Sequence, residues 1–281
     1  MNKTCVIPDI HQNTTWADAV MRRESDCDLF IFLGDIFDSY KTPPDVTGIR
    51  ETAKWLKRII HNPKCIVLWG NHDIAYMEDC KYARKHVKNH RPFQECAGFT
   101  RNKSEEIAKE ITWVEWGKTE PFKLVNGWLL SHAGFDYRFW RNCLNIEDNL
   151  DLLYQEAMIA RNQINMSHAR WFFCDYLRGG DDEYSGPIWQ DFQEAFEDVL
   201  PLPQIVGHTP YKDQHTVQQI GRSFDIDGGQ STYAIIETDG KIAFKSIEQI
   251  GEEWKEAPVN TLNIDSFIAT RANKLNIEFL K

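Results

Sequence analysis

Residues 29–38 read LFIFLGDIFD and contain the pattern on which the fold depends. The uninterrupted apolar run 29–33 is typical of a β-strand that is covered on both faces. Gly34 permits a tight turn directly after that strand, and the turn directs the carboxylate of Asp35 into the crevice at the strand end. A second apolar run, 65–69, has the same character and is also followed by glycine. The two runs therefore predict buried strands that end at polar residues.

The first third of the chain alternates between predicted strands and predicted helices. Residues 5–7 form a short β-rich run, and helical composition follows over 16–23. A helix is predicted from about 48 to 61, between the runs 29–33 and 65–69. This β-α-β-α-β order implies parallel strands joined by right-handed crossovers. We therefore expect an α/β protein.

The remaining organisation predicts one domain over residues 1–281. Near its end, Asp239-Gly240 joins two short β-rich runs and signals an antiparallel hairpin. Residues 74–120 differ from the rest, since they are polar, charged and helical in composition. We interpret them as a helical insert beside the functional site, which is either a cap or an ordinary exposed excursion.

Composition excludes several classes of protein. A hydrophobic fraction of 42% is ample for a packed core, and the net charge of −10 argues against a protein that grips nucleic acid. The seven cysteines lack a Cys-x-x-Cys pair, so we expect reduced thiols in a cytoplasmic protein. A strand predicted at residues 4–8 leads us to expect no signal peptide. No apolar run approaches the ~20 residues of a membrane span, so we expect no membrane partner.

Five short polar motifs follow predicted strands. They are Asp9-Ile10-His11, Gly34-Asp35-Ile36-Phe37-Asp38, Gly70-Asn71-His72-Asp73, His132-Ala133-Gly134 and Gly207-His208-Thr209. Their candidate functional side chains are three carboxylates, four imidazoles and one carboxamide, which is enough to hold two divalent metal ions. Open α/β sheets bind ligands outside the carboxyl ends of their strands, where these motifs lie. A paired metal site in that place is suited to attack on phosphorus.

Positions within the motifs indicate different roles. The amide oxygen of Asn71 is a suitable neutral ligand for a hard cation, whereas the adjacent His72 diverges from it and cannot easily reach the same ion. His72 is instead suited to donating a proton to a leaving group near neutral pH. Asp38 could accept a hydrogen bond from the other ring nitrogen and hold the tautomer. His132 and His208 then complete the shell of the second metal.

Each motif alone is typical of ordinary turn chemistry, but the five in this order resemble the signature of the calcineurin-like metallophosphoesterases. That signature is Asp-x-His, Gly-Asp-x-x-Asp, Gly-Asn-His-(Asp/Glu), a later His, and Gly-His near the end, and the resemblance covers roughly residues 4–250. It implies an α/β (α+β) fold, a four-layer β-sandwich of two mixed sheets flanked by helices. It also implies a cofactor of two divalent metal ions (Mn²⁺, Fe²⁺/Fe³⁺ or Zn²⁺).

The resemblance further implies a role for each motif residue. Six residues bind the metals, with Asp9 and His11 on the first, Asp35 on both, and Asn71, His132 and His208 on the second. A hydroxide that bridges the metals attacks phosphorus in line. The catalytic His72 assists the leaving group, and Asp38 supports His72.

Departures from one branch of this family bear on the substrate. The branch of Ser/Thr protein phosphatases and symmetrical diadenosine tetraphosphate hydrolases usually has Arg-Gly after its second Asp motif, where this chain has Ser39-Tyr40. A guanidinium in that position clamps a phosphate bidentately, so its replacement predicts an altered grip on phosphate. Candidate substrate contacts are Tyr40 and Arg170, which lies between the last two ligand histidines. The alternatives are aromatic packing and an exposed helical arginine.

We therefore expect a metal-dependent phosphoesterase, in the first place a phosphomonoesterase, whose partner is a phosphorylated small molecule, nucleotide or phosphoprotein. Two enzymatic alternatives are hydrolysis of dinucleoside polyphosphates and of phosphodiesters. An alternative of another class is a catalytically silent relative that keeps the metals as a binding scaffold. That last alternative is disfavoured because His72 and Asp38, which metal binding alone does not require, are both present.

Overall fold

The computed structural model of this chain describes residues 2–39, 47–82, 96–143, 150–162 and 169–264. In chain order the strands are β1 (Thr4–Ile7), β2 (Leu29–Phe32), β3 (Cys65–Val67), β4 (Lys123–Val125), β5 (Trp128–Leu130), β6 (Gln204–Val206), β7 (Thr216–Ile220), β8 (Ser223–Asp225), β9 (Thr232–Ile236), β10 (Ile242–Ile250), β11 (Glu253–Glu256) and β12 (Asn260–Asn263). The α-helices are α1 (Thr14–Arg23), α2 (Ile49–Ile60), α3 (Asn71–Tyr82), α4 (Arg101–Ala108), α5 (Trp113–Trp116), α6 (Tyr137–Cys143) and α7 (Leu150–Asn162). Short 3₁₀ turns cover Ala169–Phe172 and Tyr176–Arg178.

The strands form two six-stranded sheets, in the orders β11-β10-β9-β1-β2-β3 and β12-β7-β8-β6-β5-β4. In the first sheet β1, β2 and β3 are parallel neighbours, with Val6 opposite Ile31 and Ile31 opposite Ile66. Because β1 also pairs antiparallel with β9, this sheet is mixed. The second sheet is mixed too, since β6 is parallel to β5 and β8 whereas β7 is antiparallel to β8. The predicted fold of two mixed sheets flanked by helices is confirmed.

Strand β2 is buried on both faces, as its uninterrupted apolar run predicts. Successive side chains on a strand point to opposite faces of the sheet. Phe30 and Phe32 belong to the core cluster that contains Trp55 of α2, whereas Ile31 belongs to a cluster with members from both sheets, including Leu130 of β5. The strand therefore joins the core beneath the helices to the core between the sheets.

The first two helices match their predicted ranges and have clear local causes. Helix α1 begins after Asn13, whose side chain accepts a hydrogen bond from the backbone nitrogen of Trp16 and caps the helix. The Trp16 side chain is fully buried. Helix α2 buries Leu56 and Ile59, which lie on one face because they are three residues apart. These apolar stripes hold the crossovers against the first sheet.

The predicted helical segment 74–120 contains part of α3 together with α4 and α5, and α4 packs against both α2 and α3. Residues 83–95 of this segment lie outside the described residues. The predicted hairpin is present, since β9 and β10 pair antiparallel around a turn in which Gly240 has a φ of 84°. A single domain over 1–281 stays a prediction.

None of the helices in the described part of the chain is both long enough and apolar enough to span a membrane.

Candidate metal centre

The five polar motifs follow β1, β2, β3, β5 and β6, and their loops are bonded to one another. The backbone nitrogen of His11 donates to the carbonyl of Asp35 at 2.8 Å, which joins the first two loops. The nitrogen of Gly207 donates to the carbonyl of His132 at 2.7 Å, which joins the last two. The nitrogen of His208 donates to Oδ1 of Asp9 at 3.0 Å and so connects the two sheets. The motifs therefore converge on one place in the fold.

The loops after β2 and β3 approach each other so closely that only glycine fits. A Cβ atom on Gly34 would lie 2.6 Å from the nitrogen of Gly70, and one on Gly70 would lie 2.1 Å from the nitrogen of Asp35. Gly34 also has a φ of 105°, a conformation that disfavours any side chain. This approach lets Oδ1 of Asp35 accept a hydrogen bond from the backbone nitrogen of His72, at 2.8 Å.

Several site residues have left-handed backbone although they are not glycine. The φ angles are 43° at His11, 51° at Asp35, 61° at Asp38 and 76° at His208. Such conformations cost free energy in non-glycine residues and persist where surrounding bonds impose them, as they often do at functional sites. These left-handed backbone conformations therefore help to set the directions of the site's side chains.

A first group of possible metal ligands consists of Asp9, His11 and Asp35, whose ligand atoms all lie within 4.8 Å of one another. Nε2 of His11 is 3.8 Å from Oδ2 of Asp9 and 3.7 Å from Oδ2 of Asp35. The other ring nitrogen, Nδ1, lies 3.0 Å from the carbonyl oxygen of Phe37. A donor hydrogen bond at Nδ1 leaves the lone pair on Nε2, which faces the carboxylates.

A second group consists of Asp35, His132 and His208, again within 4.8 Å of one another. Nε2 of His132 is 3.1 Å from Nδ1 of His208, 3.4 Å from Oδ1 of Asp35 and 2.7 Å from Oδ1 of Asn71. Nδ1 of His132 is directed to the carbonyl oxygen of Leu33 at 3.0 Å. Asp35 belongs to both groups, so its carboxylate could serve two ions at once.

The donor set fits divalent metal ions. Because Nδ1 of His132 donates to a carbonyl, its Nε2 bears a lone pair. The amide oxygen of Asn71 faces this nitrogen and also faces acceptor atoms of Asp35 and His208. Lone pairs this close repel one another unless positive charge lies between them. Carboxylate, imidazole and amide ligands together suit Mn, Fe and Zn ions. The residues present therefore fit the metals that the motifs predict.

The protonation equilibria point the same way. Burial lowers the pKa of His11, and burial together with the charge of Arg178 lowers the pKa of His208 well below its ordinary value. Neutral imidazoles are the form that binds metal. Burial and the carboxylates of Asp227 and Asp35 raise the pKa of Asp9 well above its ordinary value, a penalty that a bound cation would relieve.

The imidazole of His72 is paired with the carboxylate of Asp38. Nδ1 of His72 lies 3.2 Å from Oδ2 of Asp38, and both side chains are buried. Asp38 also accepts hydrogen bonds through Oδ1 from the hydroxyl of Tyr76 at 2.7 Å and from Nζ of Lys103 at 2.8 Å. Burial lowers the pKa of His72, but the charges of Asp35 and Asp38 outweigh it and the pKa is raised. A raised pKa favours the protonated imidazole, which is the form that can donate a proton.

A cavity of about 490 Å³ opens onto both groups, a size within the range of small-molecule sites. Five of the predicted site residues line it, namely His11, Asp35, Asn71, His72 and His208. Other lining residues come from outside the metal-ligand and acid predictions, among them Cys96, Arg178, Trp189 and Asp227. The wall thus includes a thiol, a guanidinium and an aromatic ring.

Arg178 is the residue that sequence reasoning most clearly missed. It follows no strand and belongs to no motif, so nothing in the sequence separates it from other arginines. Its Nε lies 2.9 Å from Oδ2 of Asp191, and its Nη2 donates to Oγ1 of Thr209 at 2.6 Å. Among the described residues that line the cavity it is the one arginine or lysine. It therefore brings a positioned cation to the site.

Asp227 lies in a turn, where its Oδ1 accepts a hydrogen bond from the nitrogen of Gly229 at 3.1 Å. It also lines the cavity. The pKa of Asp227 is raised to about 6, mainly by burial. The hydrogen bond from Gly229 lowers this pKa, whereas the charge of Asp35 raises it further. The site therefore contains one more carboxylate than its motifs indicate.

The two predicted substrate contacts have a different placement. The guanidinium of Arg170 is paired with the carboxylate of Glu156 of α7, through Nε at 2.8 Å. Within the described part of the chain, the cavity lining includes Arg178 and not Arg170. Tyr40 lies outside the described residues. Substrate contact through Arg170 or Tyr40 thus stays a prediction.

Comparisons with known proteins agree with this geometry. A family described as calcineurin-like phosphoesterase matches residues 3–212 of the chain, which confirms the resemblance stated from the motifs. None of the curated proteins matches the chain in sequence.

Similar solved structures include the cold-active protein-tyrosine phosphatase of the psychrophile Shewanella sp., with a TM-score of 0.55 and 13% identity over 92% of this chain and 81% of that one. A second structure of a cold-active protein tyrosine phosphatase has the same TM-score and identity, over 92% and 80%. A metallophosphoesterase from Sphaerobacter thermophilus has a TM-score of 0.40 and 15% identity, over 92% and 88%. At such identities the likeness to the phosphatases shows the fold alone.

Proposed function

Since the chain belongs to the calcineurin-like phosphoesterase family, we propose that it hydrolyses phosphate esters, in the first place phosphomonoesters, with two divalent metal ions. The proposed ligands are Asp9 and His11 for the first ion, Asp35 for both, and Asn71, His132 and His208 for the second. The observation that carries this proposal is the position of Asp35, which belongs to both groups of ligand atoms. Two ions, when bound, supply an activated water for in-line attack and stabilise charge on the phosphoryl oxygens.

The general acid in this proposal is His72. Its Nδ1 faces Asp38, which fixes the ring and stabilises its charged form, and its raised pKa keeps a proton available. His72 lines the cavity, so a leaving group in the cavity can take the proton. A scaffold that only bound metal would not need this pair, which disfavours the catalytically silent alternative.

Arg178 is the proposed anchor for the phosphate. Its Nε is ion-paired with Asp191 and its Nη2 donates a hydrogen bond to Thr209, and no hydrogen bond involves Nη1 in the described part of the chain. A guanidinium with its orientation set by neighbours is suited to a phosphoryl oxygen. In this proposal Arg178 supplies the charge that the family branch places after the second Asp motif.

A phosphomonoester is the preferred substrate on electrostatic grounds. A monoester dianion carries more negative charge than a diester, so it gains more from the guanidinium of Arg178. The cavity of about 490 Å³ leaves room for an organic group beyond the phosphate, which also keeps dinucleoside polyphosphates and phosphodiesters as alternatives. We propose a cytoplasmic location on the basis of the free thiols of Cys5, Cys27, Cys65, Cys96 and Cys174.

Hydrolysis by Mn²⁺-reconstituted protein tests this proposal, with p-nitrophenyl phosphate compared with bis-p-nitrophenyl phosphate at equal concentration. Faster release of p-nitrophenol from the monoester is expected. Faster turnover of the diester would move the protein to the phosphodiesterases. Turnover of neither would turn attention to dinucleoside polyphosphates, and failure there as well would leave the silent scaffold.

A further inference from the structure

One cysteine from outside the motifs contacts a proposed metal ligand twice. Nδ2 of Asn71 donates to Sγ of Cys96 at 3.0 Å, and Sγ of Cys96 donates to the backbone oxygen of Asn71 at 2.9 Å. Cys96 is 7% exposed and lines the cavity. The two residues are 25 positions apart, so this contact connects the 74–120 segment to the site.

The contact bears on which end of the Asn71 amide faces the metals. With Nδ2 on the thiol, Oδ1 lies 2.7 Å from Nε2 of His132. Turned around, the amide would bring Nδ2 within 3.2 Å of acceptor atoms on Asp35, His132 and His208. An N–H group among acceptors is favourable without a metal, so a metal-free site on its own would prefer the turned amide. That orientation would point the wrong atom at a cation.

The thiol opposes the turned orientation because it has a single proton. Sγ lies 2.9 Å from the backbone oxygen of Asn71, and with its proton in that hydrogen bond the sulfur offers only a lone pair to the amide. An accepting sulfur selects Nδ2 and rejects Oδ1. We propose that Cys96 is a positioning residue that holds the Asn71 amide with its oxygen toward the second proposed metal ion. This inference rests on the proposed function, since it needs a metal to be bound there.

Metal binding tests the inference directly. Chelator-treated protein is titrated with Mn²⁺ in a calorimeter, for the wild type and for Cys96→Val, Cys96→Ala and Cys96→Ser. Valine and alanine remove both hydrogen bonds, and we expect them to raise the Kd of one metal about tenfold and to leave the other metal unchanged. Serine can donate and accept as cysteine does, so it should stay within about threefold of the wild type. The matched control is Cys65→Val, a half-buried thiol of β3 outside the cavity.

Equal Mn²⁺ affinities in the wild type and in both apolar variants would overturn the inference. Equal weakening in the serine variant would overturn it too, because packing rather than hydrogen bonding would then be the cause. These results differ from failure of the proposed function, in which the wild type itself binds fewer than two metal ions. Thermal unfolding of the metal-free proteins verifies that each variant is folded. If Cys96→Val does not fold, Cys96→Ala provides the comparison with the wild type.

Discussion

Nζ of Lys103 lies 2.8 Å from Oδ1 of Asp38, and this ion pair ties α4 to the partner of the proposed general acid. Nζ also donates to the carbonyl of Gly98 at 2.7 Å, which holds the ammonium in place. Burial raises the pKa of Asp38, but hydrogen bonds from His72, Lys103 and Tyr76 lower it more strongly, so the carboxylate stays ionised. The helical segment 74–120 therefore contributes a residue that orients Asp38 at the site.

Replacement of Lys103 by methionine should lower kcat without loss of metal. The change removes one of three hydrogen bonds that orient Asp38, and partners of this kind typically contribute about tenfold or more to a site. Turnover of p-nitrophenyl phosphate and metal content by mass spectrometry give the two readouts. Lys109→Met, an exposed change at the end of the same helix, is the control. An unaltered kcat in Lys103→Met would show that the ion pair is only structural.

Replacement of His72 by alanine should reduce kcat by about 10²–10⁴, because a positioned general acid contributes that much. Metal content should survive, since His72 is no proposed ligand. Asp38 acts through His72, so adding Asp38→Ala to His72→Ala should cost little more. Full activity in His72→Ala would mean that another group protonates the leaving group.

Replacement of Arg178 by glutamine should weaken inhibition by inorganic phosphate by about ten- to a hundredfold, since a bond to a charged group is worth roughly 1.5–3 kcal/mol. The inhibition constant is measured in steady-state hydrolysis with metals saturating. Arg222 is a matched control, because it also pairs with a carboxylate, that of Asp198, at 3.2 Å. The anchor role is rejected when Arg178→Gln and Arg222→Gln give the same constant as the wild type.

Replacement of the shared carboxylate should affect both metals. In Asp35→Asn we expect both ions to bind more weakly, because an amide carries no charge and Asp35 belongs to both ligand groups. In Asp9→Asn we expect weaker binding of one ion only, since Asp9 belongs to the first group alone. Mn²⁺ titration of each chelator-treated variant counts the ions. Loss of a single ion from Asp35→Asn would argue against a bridging role.

Glu115 should make stability depend on pH in the acid range. Burial raises the pKa of this carboxyl, but hydrogen bonds from Thr112 and the ion pair with Lys57 lower it from 4.5 to about 2. A lowered pKa in the folded state contributes stability that is full above pH 4.5 and disappears as the pH falls to about 2. Glu115→Gln should therefore be destabilised at pH 7 and match the wild type near pH 2. Urea unfolding at both pH values measures this, and a constant difference would contradict it.

The sequence identifies the motif residues that converge in the fold, but it does not identify the residues that support them. Asp35 was predictable because it follows a buried-strand pattern and a glycine, at the kind of strand end where α/β sheets bind ligands. Short polar strands such as β7, with Gln218 and Gln219, lack such a signal. Cys96 and Lys103 contact motif residues 25 and 65 positions away, and no local pattern encodes which helical residue reaches which loop. Contacts of this kind follow from packing and become visible only in the folded chain.

The most direct test of metal-dependent phosphoester hydrolysis is a titration of chelator-treated protein with Mn²⁺ while hydrolysis of p-nitrophenyl phosphate is followed. The ligand groups that share Asp35 predict no turnover without metal and activity that rises until two ions are bound per chain. Hydrolysis that persists after complete removal of metal, or none with both ions bound and any phosphate ester supplied, would contradict the account.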